Sequence, residues 1–183
     1  MCIALTHFTG MCGFRPPNET ANFVRIIPEL VALIGHQTAQ NLQTAARSTD
    51  KSEYPRVLKE AFGNLMRSEK SDVQAKVSAL VSRIKTKKES KISGEATPDD
   101  LLGDLVLTLN KDFPGDVGIF VIYFLNHVTL KPGEAMFLRA NLPHAYLSGN
   151  CVECMACSDN VVRAGLTPKV RFRILFNSHA VGI

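Results

Sequence analysis

The hydrophobic period of this chain changes at Phe113-Pro114-Gly115-Asp116, and that change limits what the chain can fold into. Upstream, over residues 18–112, apolar side chains recur at the three- and four-residue spacings of helices. Downstream, residues 119–130 are rich in β-branched and aromatic types, which suits a strand. Pro132-Gly133 predicts a turn, because Pro presets the first central φ and Gly accepts a positive one. Residues 134–138 then read as the returning strand, 141–144 as a short loop, and 145–157 as strand again. Helices followed by β-hairpins imply an α+β chain. No internal repeat or low-complexity segment interrupts the pattern.

Within the helical stretch, Asn18 is a candidate cap for a helix burying Phe23, Ile26, Ile27 and Leu30. Pro28 should end or kink that helix at Ile27, and Gly35 reads as the stop for the short segment that follows. Over residues 54–68, Val57, Leu58, Ala61, Phe62 and Leu65 share one face. Over residues 71–87, Val73, Val77, Leu80, Val81 and Ile84 do the same. A last helix opens at Thr97, with Pro98 at its first position and Asp100 placed to complete a capping box. It buries Leu101, Leu102, Leu105 and Leu109. The basic run over residues 85–91 has no interleaved aromatics and so no stacking platform for nucleic acid. It reads as a solvated helix C-terminus, where cations suit the helix dipole.

Composition narrows the function class. The 183 residues are 45% hydrophobic and 21% charged, an ordinary globular balance. That length fits one domain or slightly more. A net charge of +4 mildly favours anionic ligands and is too small to argue for nucleic acid. No run of about 18 apolar residues is present, so no membrane span is expected. The N-terminal Met-Cys-Ile-Ala-Leu-Thr-His-Phe has neither a basic leader nor a clean apolar core, so no signal peptide is read. Five cysteines in that context suggest reduced thiols in a cytoplasmic protein.

The segment over residues 130–149, L-K-P-G-E-A-M-F-L-R-A-N-L-P-H-A-Y-L-S-G, carries the clearest chemistry. A strand, a Pro-Gly turn, a second strand and then Pro143-His144 is the layout of a cupin half-barrel. In that layout the His projects inward from a strand start, and neutral imidazole is a common zinc or iron ligand. Taken alone, a His beside a Pro is more often a satisfied surface or core group. Cys151, Cys154 and Cys157 form C-x-x-C-x-x-C, which looks like a thiolate site. The fourth Cys and following Pro of an iron–sulfur run are missing, since Val161 and Val162 stand there. These cysteines are read as small buried hydrophobes, with Cys151 and Cys157 facing one way along a strand and Cys154 the other.

Residues 130–169 closely resemble type I phosphomannose isomerases. The matching stretches are L-K-P-G-E-A-M-F-L, then N-L-P-H-A-Y-L, then C-V-E-C-M-A-C-S-D-N-V-V-R-A-G-L-T-P-K. Similarity extends to I-A-L-T-x-F-x-G-x-C-G-F-R-P near the N-terminus and to F-P-G-D. It is looser over the helical stretch, which matches the helical insertion of these enzymes. The resemblance implies four parts: residues 1–17 as the end of an N-terminal cupin segment, 18–112 as the helical domain, 113–169 as cupin β-strands bearing the site, and 170–183 as a divergent tail. The expected fold is thus α+β, a helical insertion domain followed by part of a cupin-type β-barrel.

The same resemblance implies a zinc-dependent interconversion of mannose 6-phosphate and fructose 6-phosphate, feeding GDP-mannose synthesis. It implies a small-molecule sugar-phosphate partner, no nucleic acid or membrane partner, and monomeric intact members. The family's zinc is held by a Gln, a His, a Glu and a second His, and the second His matches His144. The family's catalytic Arg matches Arg163. Lys169 is a candidate contact to phosphate or sugar oxygen, and Glu153 a candidate base or supporting partner. An aldose–ketose isomerase moves a proton between adjacent carbons, so it needs a fixed cation for the developing oxyanion and a base within hydrogen-bond reach. Taken without the family, Arg163 reads as a surface ion-pair residue, Lys169 as a loop lysine, and Glu153 as a solvent-facing strand residue. Ser158-Asp159-Asn160 reads as a turn cluster.

The sequence departs from the family at both ends. The Gln, the first His and the Glu lie upstream of the stretch that matches Met1, and none can be assigned here. Beyond Lys169 the sequence no longer resembles the family. The expectation is a partial chain or truncated isoform with little activity by itself, because one His cannot build a catalytic zinc site. His36, His127 and His179 are other imidazoles, none favoured by spacing. The alternative readings are a non-catalytic half-cupin that binds sugar phosphate or a partner, and a helical interaction protein working through residues 18–112.

Overall fold

The computed structural model describes residues 1–50, 52–90, 97, 100–157 and 162–167. Pro98, the Ser158-Asp159-Asn160 cluster, Lys169, His179 and the divergent tail lie outside the described residues.

The chain opens with β1 (Cys2–Ala4) and β2 (Phe8–Phe14), then enters α1 (Pro17–Ile26), α2 (Pro28–Ile34) and α3 (His36–Arg47). Next come α4 (Tyr54–Arg67), α5 (Lys70–Ser90), α6 (Gly103–Asp112) and the one-turn α7 (Gly118–Val121). It returns to strand at β3 (Leu125–Leu130), β4 (Ala135–Met136), β5 (His144–Ser148) and β6 (Cys151–Glu153). The architecture is α+β.

The helices form where apolar spacing and proline demand them. Pro28 takes the first position of α2 and stops α1 at Ile26, because its ring removes a donor that α1 would need. Gly35 ends α2 at φ +90, a conformation that costs Gly little. Asn18 does not cap α1: Pro16 holds the cap position and Pro17 starts the helix, with no side-chain cap bond. The predicted faces of α4 and α5 are buried together with Leu30, Ile34 and Leu42 in one core. Across that core Glu29 receives two hydrogen bonds from Arg83, Nε to Oε1 at 2.8 Å and Nη2 to Oε2 at 2.7 Å. The basic segment falls on the last turns of α5, where Lys85 and Lys88 are exposed and Lys88 pairs with Asp104.

Two expectations between residues 97 and 124 differ from the structure. Thr97 and Asp100 exchange the bonds of a capping box, Thr97 N–H to Oδ2 at 2.7 Å and Asp100 N–H to Oγ1 at 3.2 Å. The turn they open does not run on into a helix, because Leu102 sits at φ +52 and α6 starts at Gly103. Residues 119–124, expected as strand, form α7 and the turn after it. All six side chains are buried, and a continuous apolar run carries no period to separate a buried strand from a buried helical turn. Asp116 settles the matter, accepting the Gly118 N–H at 2.7 Å.

The strands make two three-stranded antiparallel sheets, β4-β1-β6 and β3-β2-β5. They amount to one ribbon bent in the middle. Phe8 opposes Leu130 and Ile3 opposes Ala135, so the register against the central β1–β2 is kept on both sides of the Lys131–Glu134 turn. That turn has the expected form, with Gly133 at φ +87 and Glu134 N–H on Lys131 O at 3.0 Å. It does not fold β4 back onto β3 as the sequence predicts. It carries the chain around the corner from one sheet to the other, held by Gly133 N–H to Ala4 O at 2.8 Å. Gly149 marks the same corner on the far side, where a Cβ would lie 2.4 Å from His7 O.

Each face of β2 is committed. Met11 and Leu125 belong to the helical core, against which Ala145 and Leu147 also pack. Phe8 and Leu130 face the other way, into a small cluster with Cys2, Ala4 and Met136. Between Met11 and Phe14 the register slips, and the Asn126 amide donates to the carbonyls of Cys12, Gly13 and Phe14 that the slip releases.

Removing one member of the nearly buried pair should cost far more than breaking an exposed one. Glu29→Ala, which strands the Arg83 guanidinium, is expected to destabilise by about 3 kcal/mol. Arg56→Ala, at a pair whose side chains are 64% and 59% exposed, is expected to cost at most about 0.5 kcal/mol. Urea midpoints at unchanged m-value measure both.

Candidate active site

The face of the ribbon turned away from the helices carries the candidate chemistry. Alternation along β5 puts Ala145 and Leu147 on the helical core and His144 and Tyr146 on the opposite side. Cys12 opposes His144 and Gly10 opposes Tyr146 on β2. The missing side chain at Gly10 leaves room for Tyr146 to set its ring against Phe8, centroids 5.3 Å apart and edge-on.

His144 opens the strand after Leu142-Pro143, whose carbonyl takes the Gly13 N–H at 2.9 Å and so ties the entry of β5 to β2. The ring Nδ1 lies 2.9 Å from Leu142 O. A carbonyl can only accept, so Nδ1 carries a proton, and in the neutral imidazole Nε2 then holds the lone pair. That is the tautomer in which a backbone carbonyl orients a metal-binding imidazole. The side chain is exposed, and its ring stands 5.8 Å from that of Tyr146.

Tyr146 links His144 to Glu153. Its hydroxyl donates to Glu153 Oε1 at 2.6 Å, and Glu153 opposes Cys2 on β1. Glu153 therefore lies on the face of the small apolar cluster, whereas Val152 points the other way and is 52% exposed. Burial, then the bond to Glu153 and the carboxylate charge, push the Tyr146 phenol well above its ordinary value.

Arg163 is half-buried and stands in the segment 162–167. Ala164 and Leu166 of this segment pack on the helical core, and Leu166 N–H donates to Asp116 Oδ1 at 3.1 Å. Among the described residues no hydrogen bond or ion pair joins Arg163 to His144, Tyr146 or Glu153. Lys169 lies outside the described residues. The structure thus brings His144 and Glu153 together through Tyr146, and holds Arg163 on a separate support.

The cysteine motif is not a buried cluster. Cys151 is half-buried, while Cys154 and Cys157 are exposed, because strand β6 ends at Glu153 and the expected alternation stops with it. His127 opposes Met11, so it lies on the other face of the sheet from His144. His36 begins α3. Among the described residues, no group of three or more His, Cys, Asp and Glu side chains could hold a metal ion, and no helix is long and apolar enough to cross a membrane.

Two residues went unremarked in the sequence. Tyr146 had a signal, its two-residue spacing from His144 on a strand. Asp116 had none beyond its place in F-P-G-D, because its partners Gly118 and Leu166 are brought together by folding.

A family model described as phosphomannose isomerase type I, helical insertion domain, matches residues 33–125. The chain is 51% identical over 169 residues to a mannose-6-phosphate isomerase of Rattus norvegicus, a match covering 92% of this chain and 39% of the relative. A mannose-6-phosphate isomerase of Homo sapiens is 52% identical over the same shares. Among solved structures, the apo form of mannose 6-phosphate isomerase from Salmonella typhimurium superposes with TM-score 0.65 at 29% identity, over 94% of this chain and 38% of that one. A zinc-bound mannose 6-phosphate isomerase superposes with TM-score 0.64 at 30% identity over the same shares. The chain thus spans about two fifths of the length of the proteins it matches.

The chain has three tyrosines, and burial raises the phenol of each, Tyr54, Tyr123 and Tyr146. A folded-state value above the unfolded one means that stability is full below about pH 10 and falls as the pH rises past it. Titration followed at the phenolate absorbance should show no tyrosine ionising near pH 10 in the folded chain. Phenolate should appear together with loss of structure, and a tyrosine titrating at its ordinary value before unfolding would contradict this.

Proposed function

The chain belongs to the type I phosphomannose isomerase family, and on that premise we propose that its ribbon is the substrate-side wall of a mannose-6-phosphate isomerase site. The reaction is the interconversion of mannose 6-phosphate and fructose 6-phosphate, which supplies GDP-mannose synthesis in the cytoplasm. The observation that carries the reading is the row His144, Tyr146, Glu153 on one face of the ribbon, in a chain 51% identical to an isomerase over 169 residues.

His144 is the residue here suited to hold zinc, since its Nδ1 is spent on Leu142 and its Nε2 is free. A catalytic zinc site takes three protein ligands and an open position. The described residues do not supply that set, so they do not fit zinc by themselves.

The remaining groups match what an aldose–ketose shift requires. Glu153 is the candidate base for the proton that moves between neighbouring carbons, and the Tyr146 hydroxyl fixes the direction of its carboxylate. Arg163 is the cation for the oxyanion that develops, because guanidinium keeps its charge and presents a planar fork. Lys169 is the candidate contact for phosphate or sugar oxygen.

The lack of a metal-competent cluster among the described residues favours a chain that binds the sugar phosphate and turns it over poorly when alone. With added zinc, calorimetry should detect mannose 6-phosphate binding that Arg163→Ala weakens about tenfold. A coupled assay should give turnover at least about 10³-fold below a full-length relative. Turnover near that of the relative would refute the binding-only state, and no binding of mannose 6-phosphate would refute the site.

A further inference from the structure

We propose that Asp116 is a positioning residue for Arg163, its buried carboxylate tying the segment that carries the guanidinium to the start of α7. The proposal rests on the role given to Arg163 above and adds the group that fixes its backbone.

Asp116 is 3% exposed. A carboxylate is rarely buried to this degree without partners, because desolvating it is costly. Its Oδ1 takes two backbone N–H groups from segments far apart in sequence, Gly118 at 2.7 Å and Leu166 at 3.1 Å. The first is an otherwise unpaired donor at the start of a helical turn. The second lies three residues beyond Arg163. One oxygen thus joins the turn into α7 to the segment 162–167.

Packing at this junction leaves no slack. A Cβ at Gly118 would lie 2.4 Å from Leu166 Cγ, and one at Gly165 would lie 2.9 Å from Asp116 Oδ1 and 3.1 Å from Gly118 N. Both glycines are therefore needed for the two backbones to touch. On the other side of Arg163, Val162 is 40% exposed. The described support of Arg163 comes from its C-terminal side, through Ala164, Leu166 and the Asp116 tether. A catalytic cation displaced by about 1 Å loses on the order of 10² in rate, so a buried acceptor at this distance is a means of holding one still.

The competing reading is that Asp116 only starts α7. Four variants of the full chain separate the two: Asp116→Ala removes the acceptor, Asp116→Asn keeps an oxygen for both donors, Gly165→Ala pushes the segment off the junction while keeping the Asp116 carboxylate in the chain, and Arg163→Ala removes the cation. Two readouts are taken, mannose 6-phosphate affinity by calorimetry and nuclear relaxation with amide exchange at Leu166 and at the Arg163 Nε–H. Asp116→Ala and Gly165→Ala should each weaken binding about tenfold, with Asp116→Asn within about threefold of the parent. In the Arg163→Ala background Asp116→Ala should add nothing, since the two act as one unit. Exchange at Leu166 should rise tenfold or more and the Arg163 Nε–H should lose order, while core amides of α4 stay protected.

Full additivity of Asp116→Ala with Arg163→Ala would overturn the proposal, as would unchanged Leu166 exchange and Arg163 order in both Asp116→Ala and Gly165→Ala. Should Asp116→Ala fail to fold, Gly165→Ala and Asp116→Asn decide by the same criteria. Should the parent not bind mannose 6-phosphate, the reading of the site fails, and the order of Arg163 still decides the tether.

Discussion

Both faces of strand β2 are buried, and the placement of His144 and Tyr146 follows from that. The strand is hydrogen-bonded to β3 on one side and β5 on the other, so it cannot slide without breaking two ladders. Its side chains alternate between two different cores, Met11 among the helices and Phe8 in the small cluster. A one-residue slip would exchange the two sets and destroy both. With β2 fixed, β5 is fixed, and His144 and Tyr146 must lie opposite Cys12 and Gly10, away from the helices.

The helical region provides the platform against which the ribbon is pressed. Its core runs without interruption from Leu30 and Leu65 to Phe120 and Leu125, so the site strands rest on a surface too closely packed to deform cheaply. Three polar side chains in this interior have their partners in place. Glu29 meets Arg83 through two bonds, Asn126 fills the register slip in β2, and the Tyr123 hydroxyl reaches Leu101 O at 2.9 Å. Each satisfies a group that would be costly to leave unpaired.

Two supports carry the candidate groups. One is the ribbon, which holds imidazole, phenol and carboxylate in a row. The other is the Asp116 junction, which ties the segment carrying Arg163 to the start of α7. The first support is regular strand backbone, and the second is a buried carboxylate between two irregular segments.

Much of this was legible in the sequence because it depends on local period and local chemistry. The faces of α4 and α5, the break at Pro28, the stop at Gly35 and the Lys131–Glu134 turn all follow from spacing or from backbone limits of Pro and Gly. The family motif around Pro143-His144 marked the site strand for the same reason, being contiguous. What remained hidden involves partners distant along the chain. Residues 119–124 became a helical turn because they are buried on every side, which erases the period that would identify them. The Pro-Gly turn predicts a hairpin, yet which strand β4 pairs with is chosen by β1, more than a hundred residues away. The cysteine motif suggested burial, but only the end of β6 at Glu153 decides that Cys154 and Cys157 are exposed. The bond from Tyr146 to Glu153 and the meeting of Asp116 with Leu166 likewise have no sequence signature, because hydrogen bonds between distant segments are set by the folded path of the backbone.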